Sequence, residues 1–224
     1  THEAGNTFRT IIDTLITELG YHLIGVEVNQ DGGFSYSHKN FVRNSRDFGV
    51  PQNRPRTYLI GFDTERFLPE QIANLPRELP LKRNCAIYED LNELLDHNVE
   101  AKDYMASGYL DTLIRHRERQ EGKGYGFGYR IVNAPEIEHP IANTLLATGG
   151  SGRERNLIYD PQTGIAGMIL KGKKTPLNDR GIRVMTPSEW GKLQGFINYG
   201  FLDDEGNDLF SFPEGIPDVR FGTL

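Results

Sequence analysis

The chain has 224 residues, a mass of 25.4 kDa and a formal net charge of −6, with 37% apolar and 25% charged residues. That is ordinary globular composition, enough for one large domain or two small ones. A single cysteine excludes a disulfide framework and fits a reducing cytoplasm, and no apolar run approaches the roughly 18 residues of a membrane-crossing helix.

Charge is unevenly spread. Residues 39–56, 114–130 and 171–192 carry net charges of +4, +3 and +4, while acid gathers at Asp203, Asp204, Glu205, Asp208, Glu214 and Asp218. Three basic segments in an acidic chain suit a protein with one anion-facing side, although scattered solvated faces would give the same count. No His/Cys cluster suggests a metal. The chain opens at Thr1, without a signal peptide, and is expected to begin inside a longer protein.

In chain order, residues 6–19 predict a helix. Asn6 or Thr7 can cap it, Phe8, Ile11, Ile12, Leu15, Ile16 and Leu19 form a stripe of 3.6-residue period, and Gly20 stops it. Residues 21–28 then predict a strand, as half of a βαβ unit whose earlier strand would precede Thr1. The polar residues 29–47 predict a loop. It leads into Phe48-Gly-Val-Pro-Gln-Asn-Arg-Pro-Arg-Thr-Tyr-Leu-Ile-Gly-Phe62. Here a loop punctuated by Gly49, Pro51 and Pro55 runs into a short apolar stretch, residues 57–62, that predicts a buried strand. Gln52, Arg54 and Arg56 thus sit at the mouth of a strand, where α/β folds commonly hold ligands. Each arginine offers a planar fork suited to a phosphate or a base edge. An isolated Arg-x-Arg could equally be a surface turn whose arginines meet nearby carboxylates.

Residues 63–84, with Pro69, Pro76 and Pro80, predict an irregular connection, with a domain boundary near residue 76. Residues 87–95 have short helical character, and residues 104–120 predict a helix with Leu110, Leu113 and Ile114 inward. Glycines alternate with aromatics over residues 122–130, but a strand-like Tyr129-Arg-Ile-Val132 follows. A phosphate-cradling loop needs a helix there, so a cofactor loop is rejected. Residues 141–160 predict strand, glycine loop, strand. In the loop, Thr148, Gly149, Gly150, Ser151, Arg153 and Arg155 offer backbone N–H groups, a hydroxyl set and two cations, good chemistry for a DNA backbone or groove. A long hairpin loop is the plainer alternative. Finally Arg183-Val-Met-Thr-Pro-Ser-Glu-Trp-Gly-Lys-Leu-Gln-Gly-Phe196 predicts a helix with Thr186 as cap, Pro187 at its first position and Glu189 closing a capping box. Trp190, Leu193 and Phe196 supply its packing face.

Gln52-x-Arg54-x-Arg56, between Phe-Gly-Val-Pro and an apolar strand, resembles the eighth motif of the cytosine-5 DNA methyltransferases. Arg183, then Thr-Pro-x-Glu, then Leu-Gln-Gly-Phe, resembles the ninth. The family places its target recognition region between these motifs, and Ala-Asn-Thr-Leu and glycine-aromatic segments also occur there. The resemblance implies an α/β fold: a partial Rossmann-like catalytic domain (residues 1–75), a mixed, mainly β target recognition domain (76–182), and a ninth-motif helix with an acidic tail (183–224). It implies methylation of cytosine C5 in double-stranded DNA with S-adenosylmethionine, of the kind found in restriction–modification systems, in a bacterial cytoplasm or nucleoid. In the family a cysteine thiolate adds to C6 of a flipped-out base, because the reacting atoms are inaccessible in a stacked duplex. Carried over, Arg56 reaches the flipped cytosine, Arg54 helps to hold the backbone or the catalytic loop, and Gln52 supports both. Arg183 and Thr186 join the glycine loop as expected DNA contacts. The family's Phe-x-Gly-x-Gly loop, Pro-Cys nucleophile, Glu-Asn-Val segment and Gln-x-x-Gly-Asn-Ser motif are not in this sequence. Cys85, in Arg-Asn-Cys-Ala, is not the nucleophile by context. The chain is therefore expected to be the C-terminal part of such an enzyme, completed by an N-terminal portion or subunit; alternatives are a stand-alone DNA-recognition module and an inactive remnant.

Overall fold

The computed structural model describes residues 5–82, 87–125, 129–144, 154–197 and 202–211. It is a mixed α/β arrangement of short helices and two-stranded sheets, and the chain divides into two compact units. Unit 1 comprises Thr1–Asp47 and Pro55–Arg83; unit 2 comprises Phe48–Arg54 and Asn84–Leu224.

Helix α1 (Asn6–Asp13) runs on into one π-type turn, Thr14–Glu18, closed by Leu19 N–H donating to Thr14 O. Its N-cap is Gly5 with no side-chain cap bond, so neither Asn6 nor Thr7 caps it as expected. The extra residue of the π turn rotates the apolar stripe. Phe8, Ile12, Leu15 and Ile16 reach the core, and Ile11 and Leu19 face solvent.

The expected strand at 21–28 is broken. β1 (Tyr21–Leu23) is followed by a turn at Gly25, and β2 (Glu27–Val28) forms a hairpin with β3 (Phe34–Ser35). Gly25 has φ +87°, and a Cβ there would meet the Phe41 ring at 3.3 Å. Extended backbone cannot pass that point. The expected loop at 29–47 thus contains β3, two short 3₁₀ turns and β4 (Val42–Asn44). β5 (Gln52–Asn53) belongs to unit 2, whereas β6 (Pro55–Thr57) and β7 (Gly61–Asp63) belong to unit 1. β6 pairs antiparallel with β4, and β7 with β1. The predicted buried strand at 57–62 is therefore two pieces. The link between them, Tyr58, Leu59 and Ile60, is exposed at 50%, 36% and 44%. Unit 1 closes around Ile12, Leu23, Val26 and Phe41, with Phe8 edge-on to Phe41 and Tyr36. A short helix α2 (Pro69–Ala73) lies in its connecting segment.

Unit 2 contains α3 (Leu91–Leu94), capped by Asp90; α4 (Ser107–Glu121); β8 (Ala142–Asn143); β9 (Ile158–Tyr159); β10 (Ile182–Arg183); and α5 (Pro187–Leu193). β8 does not pair with β9 across the glycine loop, as a hairpin would require. β8 runs parallel to β5, and β9 pairs antiparallel with β10. One core gathers Leu91, Leu94, Val132, Ala142, Ile158, Met185, Trp190 and Leu193; another joins Leu110 of α4 to Met105, Leu157 and Ile182. The turn into β10 is fixed by buried Asn178, whose Oδ1 accepts from Arg180 and Ile182 N–H groups. Gly181 in that turn has φ +65°, and a Cβ there would fall 2.6 Å from the Pro161 backbone, so no other residue fits. Among the described residues no helix is long and apolar enough to cross a membrane.

Candidate active-site and DNA-contacting residues

The Gln-x-Arg-x-Arg stretch changes units at Pro55. Gln52 and Arg54 lie in unit 2, Arg56 in unit 1. Gln52 is wholly buried in β5, opposite Ala142 of β8. The pairing is reinforced next door, where Thr144 Oγ1 donates to Asn53 O at 2.7 Å. Arg54, half-buried, donates from a terminal guanidinium N–H to Gln194 Oε1 at 2.5 Å. Gln194 is the C-cap residue of α5. Arg56, on β6, is exposed and donates to its neighbour's carbonyl, Pro55 O, at 2.8 Å.

Directly opposite Arg56 in the β4–β6 ladder stands Arg43, and the two have different fates. Arg43 is buried, and its guanidinium donates to the carbonyls of Pro80, Leu79, Val42 and Lys39. Carbonyl dipoles meet its charge, so it ties the 79–80 segment to β4 and is not part of an anion-facing surface. The +4 charge of residues 39–56 therefore overstates what faces outward.

The α5 region follows its sequence signature closely. Thr186 Oγ1 accepts from Glu189 N–H, and Glu189 Oε2 accepts from Thr186 N–H at 2.8 Å, which is the expected capping box. Two of the expected DNA contacts are nevertheless taken up inside the protein. Arg183 is wholly buried; its fork donates twice to Glu189, at 2.7 and 2.9 Å, and its Nε donates to Asp160 at 2.7 Å. Thr186 Oγ1 donates to Asp96 Oδ2 at 2.5 Å. Burying an arginine charge is tolerable only with such paired, well-oriented carboxylates. Arg183 and Thr186 thus brace α5 against the rest of unit 2.

Asp96 is the second brace. It also accepts from Lys192 Nζ at 2.8 Å and Ser188 Oγ at 3.2 Å, while Glu189 Oε1 accepts the Asp96 N–H. Burial alone would push the Asp96 carboxyl up, but the bonds from Lys192, Thr186 and Ser188 together hold it below the usual carboxylate range. No motif pointed to Asp96; the sequence signal was only an acid shortly after a capped helical turn.

Of the expected glycine-loop contacts, Thr148, Gly149, Gly150, Ser151 and Arg153 lie outside the described residues, as does Cys85. Arg155 is described and half-buried. At the base of this loop two asparagines clasp each other: Asn156 Oδ1 accepts from Asn143 N–H at 2.6 Å, and Asn156 Nδ2 donates to Asn143 O at 3.2 Å. Asn143 Nδ2 also donates to Arg155 O at 2.9 Å. This fixes both ends of the loop, a function the sequence reading missed because Asn143 and Asn156 sit 13 residues apart with no periodic signal.

A cavity of about 550 Å³ in unit 2 is lined by Lys102, Lys173 and Lys174 together with Tyr104, Tyr109 and Thr175. Burial lowers Lys173, whose Nζ donates to the Lys102 and Tyr104 carbonyls. Among the described residues no group of acids, histidines and cysteines could hold a metal ion.

Short helices and two-stranded sheets make this a mixed α/β protein, and its class follows from what it is similar to. Its fold is similar to part of a solved Entamoeba histolytica methyltransferase, EhMeth: TM-score 0.53, 16% identity, covering 96% of this chain and 51% of that one. The chain belongs to the C-5 cytosine-specific DNA methylase family, whose model matches residues 1–205. Among curated relatives, the type II methyltransferase M.HpaII of Haemophilus parainfluenzae is 36% identical over 202 residues, 87% of this chain and 47% of that protein. The DNA-cytosine methyltransferase of Escherichia coli K12 is 31% identical over 87% of this chain and 39% of its own length. M1.ScrFI of Lactococcus lactis subsp. cremoris is 29% identical over 88% and 40%. The chain thus spans about half the length of the curated relatives it matches, or less.

Proposed function

We propose that this chain is the C-terminal part of a cytosine-5 DNA methyltransferase. It supplies target recognition and the arginine contacts to the flipped cytosine, and an N-terminal portion completes the enzyme. The observation that carries the reading is the split fate of the eighth-motif arginines. Arg54 is fastened to the ninth-motif helix, whereas Arg56 is left exposed with only a neighbouring carbonyl as its described partner. An exposed guanidinium next to an immobilised segment suits a group that meets substrate.

In this role Arg56 donates to the flipped base. Negative charge develops on the cytosine carbonyl as a thiolate adds to C6, and a fixed cationic donor there lowers the barrier. Arg54 and buried Gln52 hold the segment that carries Arg56. The recognition contacts come from the 148–155 loop, held by the Asn143–Asn156 clasp, with Arg153 and Arg155 as its cations.

S-adenosylmethionine supplies the methyl group when bound. The described residues do not fit it. The described cavity sets three lysines against Asp103, a poor match for its sulfonium cation, and no described glycine loop runs into a helix that could cradle it. The uncovered apolar run Tyr58, Leu59 and Ile60 supports the N-terminal portion as the missing cover, since an exposed apolar strand-like segment is otherwise a site for misassociation.

Arg56→Ala tests the reading in enzyme reconstituted from this chain and an N-terminal portion. The expected loss is about 10²–10³-fold in kcat, as for removal of one transition-state donor. Affinity for duplex DNA should stay within about threefold, because one exposed phosphate-independent contact is lost. Equal losses in kcat and affinity would remove Arg56 from the flipped base.

A further inference from the structure

Arg54 and Gln194 are 140 residues apart in sequence, yet the bond between them is among the shortest side-chain contacts in unit 2, at 2.5 Å. A guanidinium has only donors, so the Gln194 amide must present its oxygen. Both ends of the contact are held. On one side, Gln52 is buried in β5, and Arg54 N–H donates to Gln52 O at 3.0 Å. On the other, Gln194 N–H donates to Trp190 O, which closes α5. Trp190 and Leu193 are buried in the core, and the same helix is braced by the Arg183–Glu189 pair and by Lys192 on Asp96. The acceptor therefore stands on a platform that cannot follow a moving side chain.

We infer that Gln194 is a positioning residue for the methyl-transfer reaction: it sets the plane of the Arg54 guanidinium. By doing so it ties the eighth-motif loop to the end of the ninth-motif helix. This rests on the role proposed above for Arg54. A charge-assisted bond to a neutral acceptor, half-buried, selects one orientation of a five-donor fork. The fork is then held in one plane at no further ordering cost during the reaction.

The test has two arms. In the reconstituted enzyme, Gln194→Leu keeps the volume and removes the acceptor, and Gln194→Glu keeps the acceptor. Gln194→Leu should lower kcat about tenfold, the worth of one charge-assisted bond, and leave KM for DNA within about twofold. Gln194→Glu should return kcat to within about threefold of the parent. Arg54→Ala/Gln194→Leu should be no slower than Arg54→Ala alone, since both remove the same contact. In the chain by itself, ¹⁵N relaxation of the Arg54 guanidinium should show an ordered fork in the parent and Gln194→Glu, and a mobile one in Gln194→Leu. A fork equally ordered in Gln194→Leu overturns the inference without any activity measurement. So does full-rate Gln194→Leu beside slow Arg54→Ala, or multiplicative losses in the double variant. Full-rate Arg54→Ala, by contrast, would overturn the role proposed for Arg54 itself.

Discussion

At the scale of single residues, Arg43 and Arg183 are buried on internal acceptors, whereas Arg56 is exposed and donates to its neighbour's carbonyl, Pro55 O. Arg183 and Arg43 are structural: the first is locked by Glu189 and Asp160, the second by four carbonyls. Glu189 does double duty, since it also accepts from Thr186 and Asp96 N–H groups. Glu189→Gln removes the charge that neutralises a wholly buried guanidinium while leaving Asp160. The expected cost is about 3 kcal/mol, toward the low end for breaking a buried pair. Trp190 is the sole tryptophan and lies in the same core, so its fluorescence during urea unfolding reports this region alone. Unchanged unfolding would show that Asp160 suffices and that Glu189 is dispensable.

At the scale of elements, the longer helices were legible, whereas α2 and the extent and pairing of the strands were not. The sequence predicts a helix over 104–120 and the structure has Ser107–Glu121; the Thr186 cap, Pro187 and Glu189 fall where their chemistry requires. Helix signals are local: a cap, a period and a stop lie within one segment. Each described sheet has two strands of two or three residues, too short for a two-residue alternation to register, and apart from the β2–β3 hairpin their partners lie well apart in sequence. The apolar run at 57–62 reads as buried because composition carries no record of whether a covering layer is present. For the site, Gln52, Arg54 and Arg56 stand out by spacing; Asn143 and Gln194 lie in recognisable segments but, like Asp96 and Asn156, act through tertiary contacts that spacing does not reveal. The α5 brace also carries a pH dependence. Asp96 is held below its usual range in the fold, so its contribution is complete at neutral pH and fades as pH falls through that lowered value, below about 4. Asp96→Asn should lower the Tm of the Trp190 transition at pH 7, with the difference shrinking toward pH 3. A difference that persists undiminished at pH 3 would show that the Asp96 charge is not what matters.

At the scale of the whole molecule, the two units meet along the chain inside the eighth motif, with Arg54 on one side of Pro55 and Arg56 on the other. Unit 2 has its own cores and carries both ends of the proposed recognition loop. Unit 1 exposes the apolar run Tyr58, Leu59 and Ile60. The chain spans about half the length of its curated relatives, and under the proposed reading it supplies recognition while catalysis is shared with an N-terminal portion. The most direct test is transfer of a labelled methyl group from S-adenosylmethionine to duplex DNA, with this chain alone and then with an N-terminal portion carrying the Pro-Cys and Glu-Asn-Val segments. Transfer only when both are present, on cytosine C5, is the predicted result. Transfer by this chain alone would contradict the account, and so would none from a folded, DNA-binding mixture of the two, which would leave this chain a recognition module without a part in catalysis.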